Sequence, residues 1–134
     1  MTDAVTIYHN PACGTSRNVL AMIRASGVEP KVVEYLETGW TREGLEHLFA
    51  EAGLTARDAL RSKGELAQEL GLAGSNVAAD TILEAMVTHP ILVERPFVVT
   101  ARGTALCRPS ERVLALLENP VQTFTKEDGE VVTR

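Results

Sequence analysis

Cysteine and histidine are both scarce in this 134-residue chain: Cys13 and Cys107 are the only two cysteines, and there are three histidines. Two cysteines cannot build a disulfide-stapled scaffold. Neither they nor the histidines fall at metal-ligand spacing, so no metal site is expected. No apolar run approaches the roughly 18 residues that a membrane span needs. Asp3, His9 and Asn10 interrupt the apolar residues near the N-terminus, and no signal peptide is expected. Excess positive charge is also missing. The formal net charge is −5, which argues against nucleic acid or an anionic membrane as the partner. There is no internal repeat and no low-complexity tract. A reduced, cytoplasmic protein of one domain, residues 1–134, is the expectation, because 45% hydrophobic residues at this length can bury a real core.

Arginine, by contrast, is plentiful. It supplies ten of the thirteen basic residues, and its planar fork suits paired contacts with oxyanions. In a chain of net negative charge an anion must be held by such a local cluster. Codon usage gives the same composition, so position has to decide.

Residues 4–8, AVTIY, read as a short buried strand. Residues 15–27 read as a helix with Val19, Leu20 and Ile23 on one face and Gly27 as its stop. Residues 31–36, KVVEYL, form a second strand. A helix over 41–53 has Thr41 as cap and Gly53 as terminator. This β-α-β-α start predicts two parallel strands joined by a right-handed crossover. The middle is helical: 55–60 opens on a Thr55–Asp58 capping pattern, 64–70 is short, and 78–89 is closed by Pro90. Then 95–100, a turn at Gly103 and 104–107 predict a β-hairpin. A helix over 109–118 has Pro109 in its first turn. The remaining residues are polar, with partial order expected. Without the helical insert, about 41–90, a thioredoxin-like α/β core remains, built on a mixed four-stranded sheet.

Cys13 falls between the first strand and the first helix. Unpaired N–H groups and the positive end of the helix dipole lie there, and both favour thiolate over thiol. A free cysteine is only about 3% ionised at pH 7. Ser16 can donate a hydrogen bond, and Arg17 or His9 can add positive charge. The alternative is a small buried hydrophobe, the usual fate of a free cysteine. Cys13-Gly14-Thr15-Ser16 is C-x-x-S, so no local disulfide can form, and turnover at Cys13 needs a second thiol from elsewhere. Cys107 ends an apolar strand and reads as structural. A phosphatase loop would need Arg six residues after the cysteine; Val19 stands there and excludes it.

Arg61, Arg95 and Arg108 each fall at an element boundary, where side chains can converge on one anion. Solvated surface positions are the plain alternative for each. Pro96 precedes a strand after a long helical insert, where thioredoxin-like folds put a cis proline. His89 reads as a helix end and His47 as a solvated side chain.

The chain closely resembles the glutaredoxin-coupled arsenate reductases. The likeness is carried by IYHNPACGTSRN (7–18), HPILVERPFVVT (89–100), GTALCRPSE (103–111) and FTKEDGE (124–130). The resemblance implies a thioredoxin-like sheet with an inserted helical region, a catalytic Cys13 and three oxyanion-binding arginines at Arg61, Arg95 and Arg108. It matches His9 and Ser16 to positions that help hold the thiolate, sets Asn10 and Arg17 in the same loop, and matches Pro96 to the cis proline. It implies arsenate as substrate, glutathione as co-substrate, glutaredoxin as partner and no bound cofactor. Two other readings are weighed. A monothiol oxidoreductase acting on glutathione mixed disulfides would not need three arginines. A thioredoxin-like regulator docking on RNA polymerase would want C-x-x-C.

Overall fold

The structure, a computed structural model, describes residues 4–74 and 76–133. Contacts divide the chain into two compact units. One joins the residues up to Glu34 with those from Arg95 onward; the other is Tyr35–Glu94. No helix among the described residues is long and apolar enough to cross a membrane.

The first unit holds a four-stranded sheet in the order β2-β1-β3-β4. The strands are β1 (Thr6–His9), β2 (Lys31–Glu34), β3 (Phe97–Thr100) and β4 (Gly103–Leu106). β1 runs parallel to β2 with Ile7 opposite Val32, and antiparallel to β3 with Ile7 opposite Val98. β3 and β4 form the expected hairpin. This is the mixed sheet predicted for a thioredoxin-like core. Helix α1 (Gly14–Ala25) buries Val19, Met22 and Ile23. Ile7, Val98, Cys107 and Val113 complete a fully buried cluster with them. Each such aliphatic side chain contributes on the order of 2 kcal/mol.

Two local expectations fail here. Residues 110–116 are not α-helical but wind as a 3₁₀ helix, Ser110–Leu116. At three residues per turn Val113 stacks on Leu116 and Leu114 on Leu117, and all four are buried. Pro109 stands before the first turn rather than in it, after a cis Arg108–Pro109 bond. The polar tail is a hairpin, β5 (Thr123–Thr125) against β6 (Val131–Thr133). Its turn uses Gly129 at φ 94, a left-handed conformation that favours glycine. The Asp128–Gly129 pair carried that signal in the sequence.

The second unit contains α2 (Tyr35–Thr38), α3 (Arg42–Ala52), α4 (Glu65–Glu69) and α5 (Ala79–Thr88). Thr41 caps α3 through the Gly44 N–H at 3.0 Å, and Gly53 ends it at φ 70. The second strand was expected to reach Leu36, but the chain turns helical at Tyr35. Tyr35 is buried and stacks on Trp40 at 5.1 Å, and this contact overrides the strand propensity of its ring. Residues 55–60 form the Thr55–Asp58 reciprocal bonds at 3.0 and 3.1 Å, yet no helix follows. Leu60 instead bridges to Val93, and the Glu94 N–H reaches the Ala59 carbonyl at 2.8 Å. Those long-range backbone bonds replace the helical ones.

Candidate active site

The loop after β1 is a small hydrogen-bonded scaffold. The Asn10 side chain accepts the Ala12 N–H at 2.9 Å, and its carbonyl accepts the Cys13 N–H at 3.0 Å. The turn sets Cys13 at the N-cap of α1, with extended backbone at φ −101, ψ 122. Cys13 is 8% exposed. Its side chain is not a conventional cap, but the Ser16 backbone N–H of α1 faces the sulfur.

The surroundings of the sulfur are cationic. The Arg108 Nη1 lies 4.0 Å from Cys13 Sγ and also donates to the Arg95 carbonyl at 2.8 Å. Burial alone pushes the Cys13 thiol up. The Arg95 guanidinium, the backbone N–H of Ser16 and Arg108 all face the sulfur and outweigh burial, so the thiol stands below its ordinary value of 9.0. Arg95 is 7% exposed, and its Nε and Nη1 are buried with no hydrogen-bond partner among the described residues. Buried N–H groups of a guanidinium are costly to leave unpaired. The same guanidinium faces the Cys13 sulfur, where a tetrahedral oxyanion would satisfy them. The Arg95–Pro96 peptide bond is cis, and the Pro96 carbonyl accepts the Cys107 N–H at 2.9 Å.

His9 and Ser16 act on each other first. Burial lowers the His9 pKa below 6.5; Glu34 opposes this, and Arg24 and Arg17 add to it. The ring is therefore neutral at pH 7. Ser16 Oγ accepts the Asn10 N–H at 3.1 Å and lies 2.6 Å from His9 Nδ1. His9 Nδ1 and Ser16 Oγ are thus engaged with each other. The Ser16 side chain lies within this loop pairing, and its backbone N–H faces the sulfur. Arg17 likewise is paired, through two hydrogen bonds to Glu127 at 2.7 and 3.0 Å. The guanidinium groups that hydrogen-bond toward Cys13 are those of Arg95 and Arg108, 82 and 95 residues away along the chain, and the Arg17 charge also acts on it.

Arg61 belongs to the second unit. Its backbone N–H donates to the Leu92 carbonyl at 2.7 Å, and its Nη1 is 3.8 Å from Glu94 Oε1. Cys107 is fully buried, and burial pushes its thiol up to about 12, so it is neutral and unreactive at physiological pH. Glu127 was not among the site residues read from the sequence, although it lies in the FTKEDGE stretch. Its distance from Cys13 in the chain hid it.

Known proteins resemble the chain over nearly its whole length. A family model described as the ArsC family matches residues 8–116. An arsenate reductase of Rhizobium meliloti is 57% identical over 129 residues, 96% of this chain and 92% of its own. An arsenate reductase of Escherichia coli K12 is 54% identical with the same coverage. The solved structure of an arsenate reductase from Vibrio cholerae superposes with a TM-score of 0.83 at 42% identity, covering 87% of this chain and 100% of its own. A sequence match through both Cys13 and Arg108, joined to a shared thioredoxin-like architecture, means that the chain belongs to the ArsC family.

Proposed function

We propose that this protein reduces arsenate to arsenite, with Cys13 as nucleophile and with glutathione and glutaredoxin supplying the electrons. The observation that carries the reading is the pairing of a thiol held below its ordinary pKa with a buried guanidinium whose Nε and Nη1 lack partners. A thiol–disulfide exchanger has no use for the second feature.

The Cys13 thiolate attacks arsenic, and one arsenate oxygen leaves as water after protonation. A sulfur–arsenic(V) bond forms with no change of oxidation state. Arg95 and Arg108 neutralise the oxyanion and stabilise the charge that builds up as the bond forms. The resemblance to the arsenate reductases gives Arg61 a matching role in holding the oxyanion. The glutathione thiol then displaces a second arsenic-bound oxygen as water, forming a second sulfur–arsenic bond, and a second thiol, from glutaredoxin, takes the glutathione sulfur as a mixed disulfide. The electron pair of the broken sulfur–arsenic bond stays on arsenic, which becomes arsenic(III) on Cys13, and hydrolysis releases arsenite. In sum two thiols become one disulfide and arsenate loses one oxygen as water. External thiols are required because Ser16 replaces the second cysteine of a C-x-x-C pair and Cys107 is neutral and buried. Phosphate shares the shape and charge of arsenate, so discrimination falls on the redox step. We take residues 1–134 as one working domain of the reducing cytoplasm.

The test is arsenite production from arsenate with glutathione, with and without glutaredoxin. Cys13→Ser is expected to abolish it with the fold intact, and Cys107→Ser to retain most turnover. A dead Cys107→Ser protein that still folds would overturn the assignment of external thiols.

A further inference from the structure

The tail hairpin does more than complete the fold. Its turn reaches both segments that carry the reactive groups. Glu127 grips Arg17 with both carboxylate oxygens, at 2.7 and 3.0 Å, and the third Arg17 bond runs from Nη1 to the Pro11 carbonyl at 2.9 Å. The Glu127 N–H also donates to Asn18 Oδ1 at 3.0 Å. A Cβ on Gly14 would sit 3.0 Å from Glu127 Oε1, so the carboxylate lies directly over the first residue of α1. On the other side, Lys126 is only 10% exposed and pairs with Glu111 at 2.8 Å and Glu130 at 2.7 Å. Glu111 lies in the first turn of the 3₁₀ helix that follows Arg108 and Pro109. The turn thus staples the Cys13 loop to the segment behind Arg108.

We propose that Glu127 is a positioning residue: through Arg17 and Pro11 the tail hairpin straps the Cys13 loop in its working shape. Arg17 is then the arm of the strap and not a ligand of the anion. Its five N–H donors are largely committed to Glu127 and Pro11, and its charge is matched by the Glu127 carboxylate. Loop shape matters because the backbone N–H of Ser16 and the N-cap position of Cys13 both depend on it. This inference rests on the reading of Cys13 as the reacting atom.

A double-mutant cycle with an independent structural readout tests it. Glu127→Gln and Arg17→Ala are each expected to lower kcat/KM at least about tenfold, within the roughly hundredfold that a 1 Å misplacement can cost. The double variant is expected to be no worse than the weaker single one, because the two residues act as one device. Glu127→Asp is expected to recover part of the loss. Hydrogen exchange of the amides in 12–17 is expected to quicken in Glu127→Gln, with β1 and β3 unchanged. Losses that multiply in the double variant, or a large Arg17→Ala loss beside a Glu127→Gln protein within twofold of wild type, would make Arg17 a direct ligand and overturn the strap. Unchanged exchange in the loop would do the same. If the wild-type protein made no arsenite while the exchange coupling held, the strap would stand and the assigned reaction would fall.

Discussion

Replacing Arg95 by methionine separates stability from function in one experiment. The guanidinium is 7% exposed, and Nε and Nη1 are buried without partners. A buried donor left unpaired costs about 1–3 kcal/mol. Methionine keeps much of the stem and removes both donors. The opposing loss is the attraction between Arg95 and an ionised Cys13, which shrinks as pH falls and the sulfur takes up a proton. At pH 6 the ligand-free variant is therefore expected to be at least as stable as wild type, by thermal unfolding. Added arsenate should reverse the ranking. At a hundred times its dissociation constant, arsenate stabilises the wild-type protein by about 2.7 kcal/mol, or roughly 8 °C at about 3 °C per kcal/mol for a chain of this size. Losing charge-assisted hydrogen bonds worth about 3 kcal/mol weakens binding about a hundredfold. The same arsenate then raises the variant by only about 1 °C. Turnover is expected to fall about 100- to 1,000-fold, as when one preorganised anion donor is removed. An Arg95→Met protein several degrees less stable than wild type, with its arsenate shift intact, would refute the reasoning.

The pH dependence of alkylation at Cys13 is expected to show a midpoint below 9.0, and Arg108→Ala to move it upward. Because the folded pKa is depressed, the matching stability is present above the unfolded thiol's pKa and fades as pH falls through the folded one. Cys107 has the opposite sign: its thiol is raised to about 12, so its contribution is full below pH 9 and is lost as pH climbs from 9.0 towards 12. Urea unfolding should therefore lose up to about 1.4 kcal/mol per pH unit above pH 9 in wild type, and less in Cys107→Ala. Ser16→Ala removes the acceptor of the buried Asn10 N–H and is expected to cost about 2 kcal/mol by denaturant titration. The Cys13 midpoint should move less in Ser16→Ala than in Arg108→Ala, because the backbone N–H of residue 16 remains.

Several elements were readable because their signals are local. Thr41 and Gly53 bracket α3 as their chemistry requires, and the FVVT and TALC segments pair around Gly103. Residues 55–60 mark the limit of that kind of reading. The capping bonds form, but Val93, 33 positions away, takes Leu60 into a bridge and stops the helix. Residues 109–118 have the apolar content of a helix, and only the need to bury two adjacent ridges sets the tighter winding. At the loop, residue type showed that His9, Ser16 and Arg17 could serve the sulfur. Which of their atoms are already engaged depended on Asn10 and Glu127, and Glu127 is far away in sequence.

By itself the sequence settled the order of the four sheet strands with α1, α3, α4 and α5, the place of Cys13 at the head of a helix and the lack of a second thiol within one turn of it. These follow from periodicity, capping and spacing, all of which act over a few residues. Tertiary structure decided which cations reach the sulfur and which of the two cysteines can ionise. It also decided that the tail closes back on the loop. Each of these depends on burial and on fields summed over groups that only the paired strands bring together. Arg108 meets Cys13 across 95 residues because β4 pairs with β3 and β3 with β1.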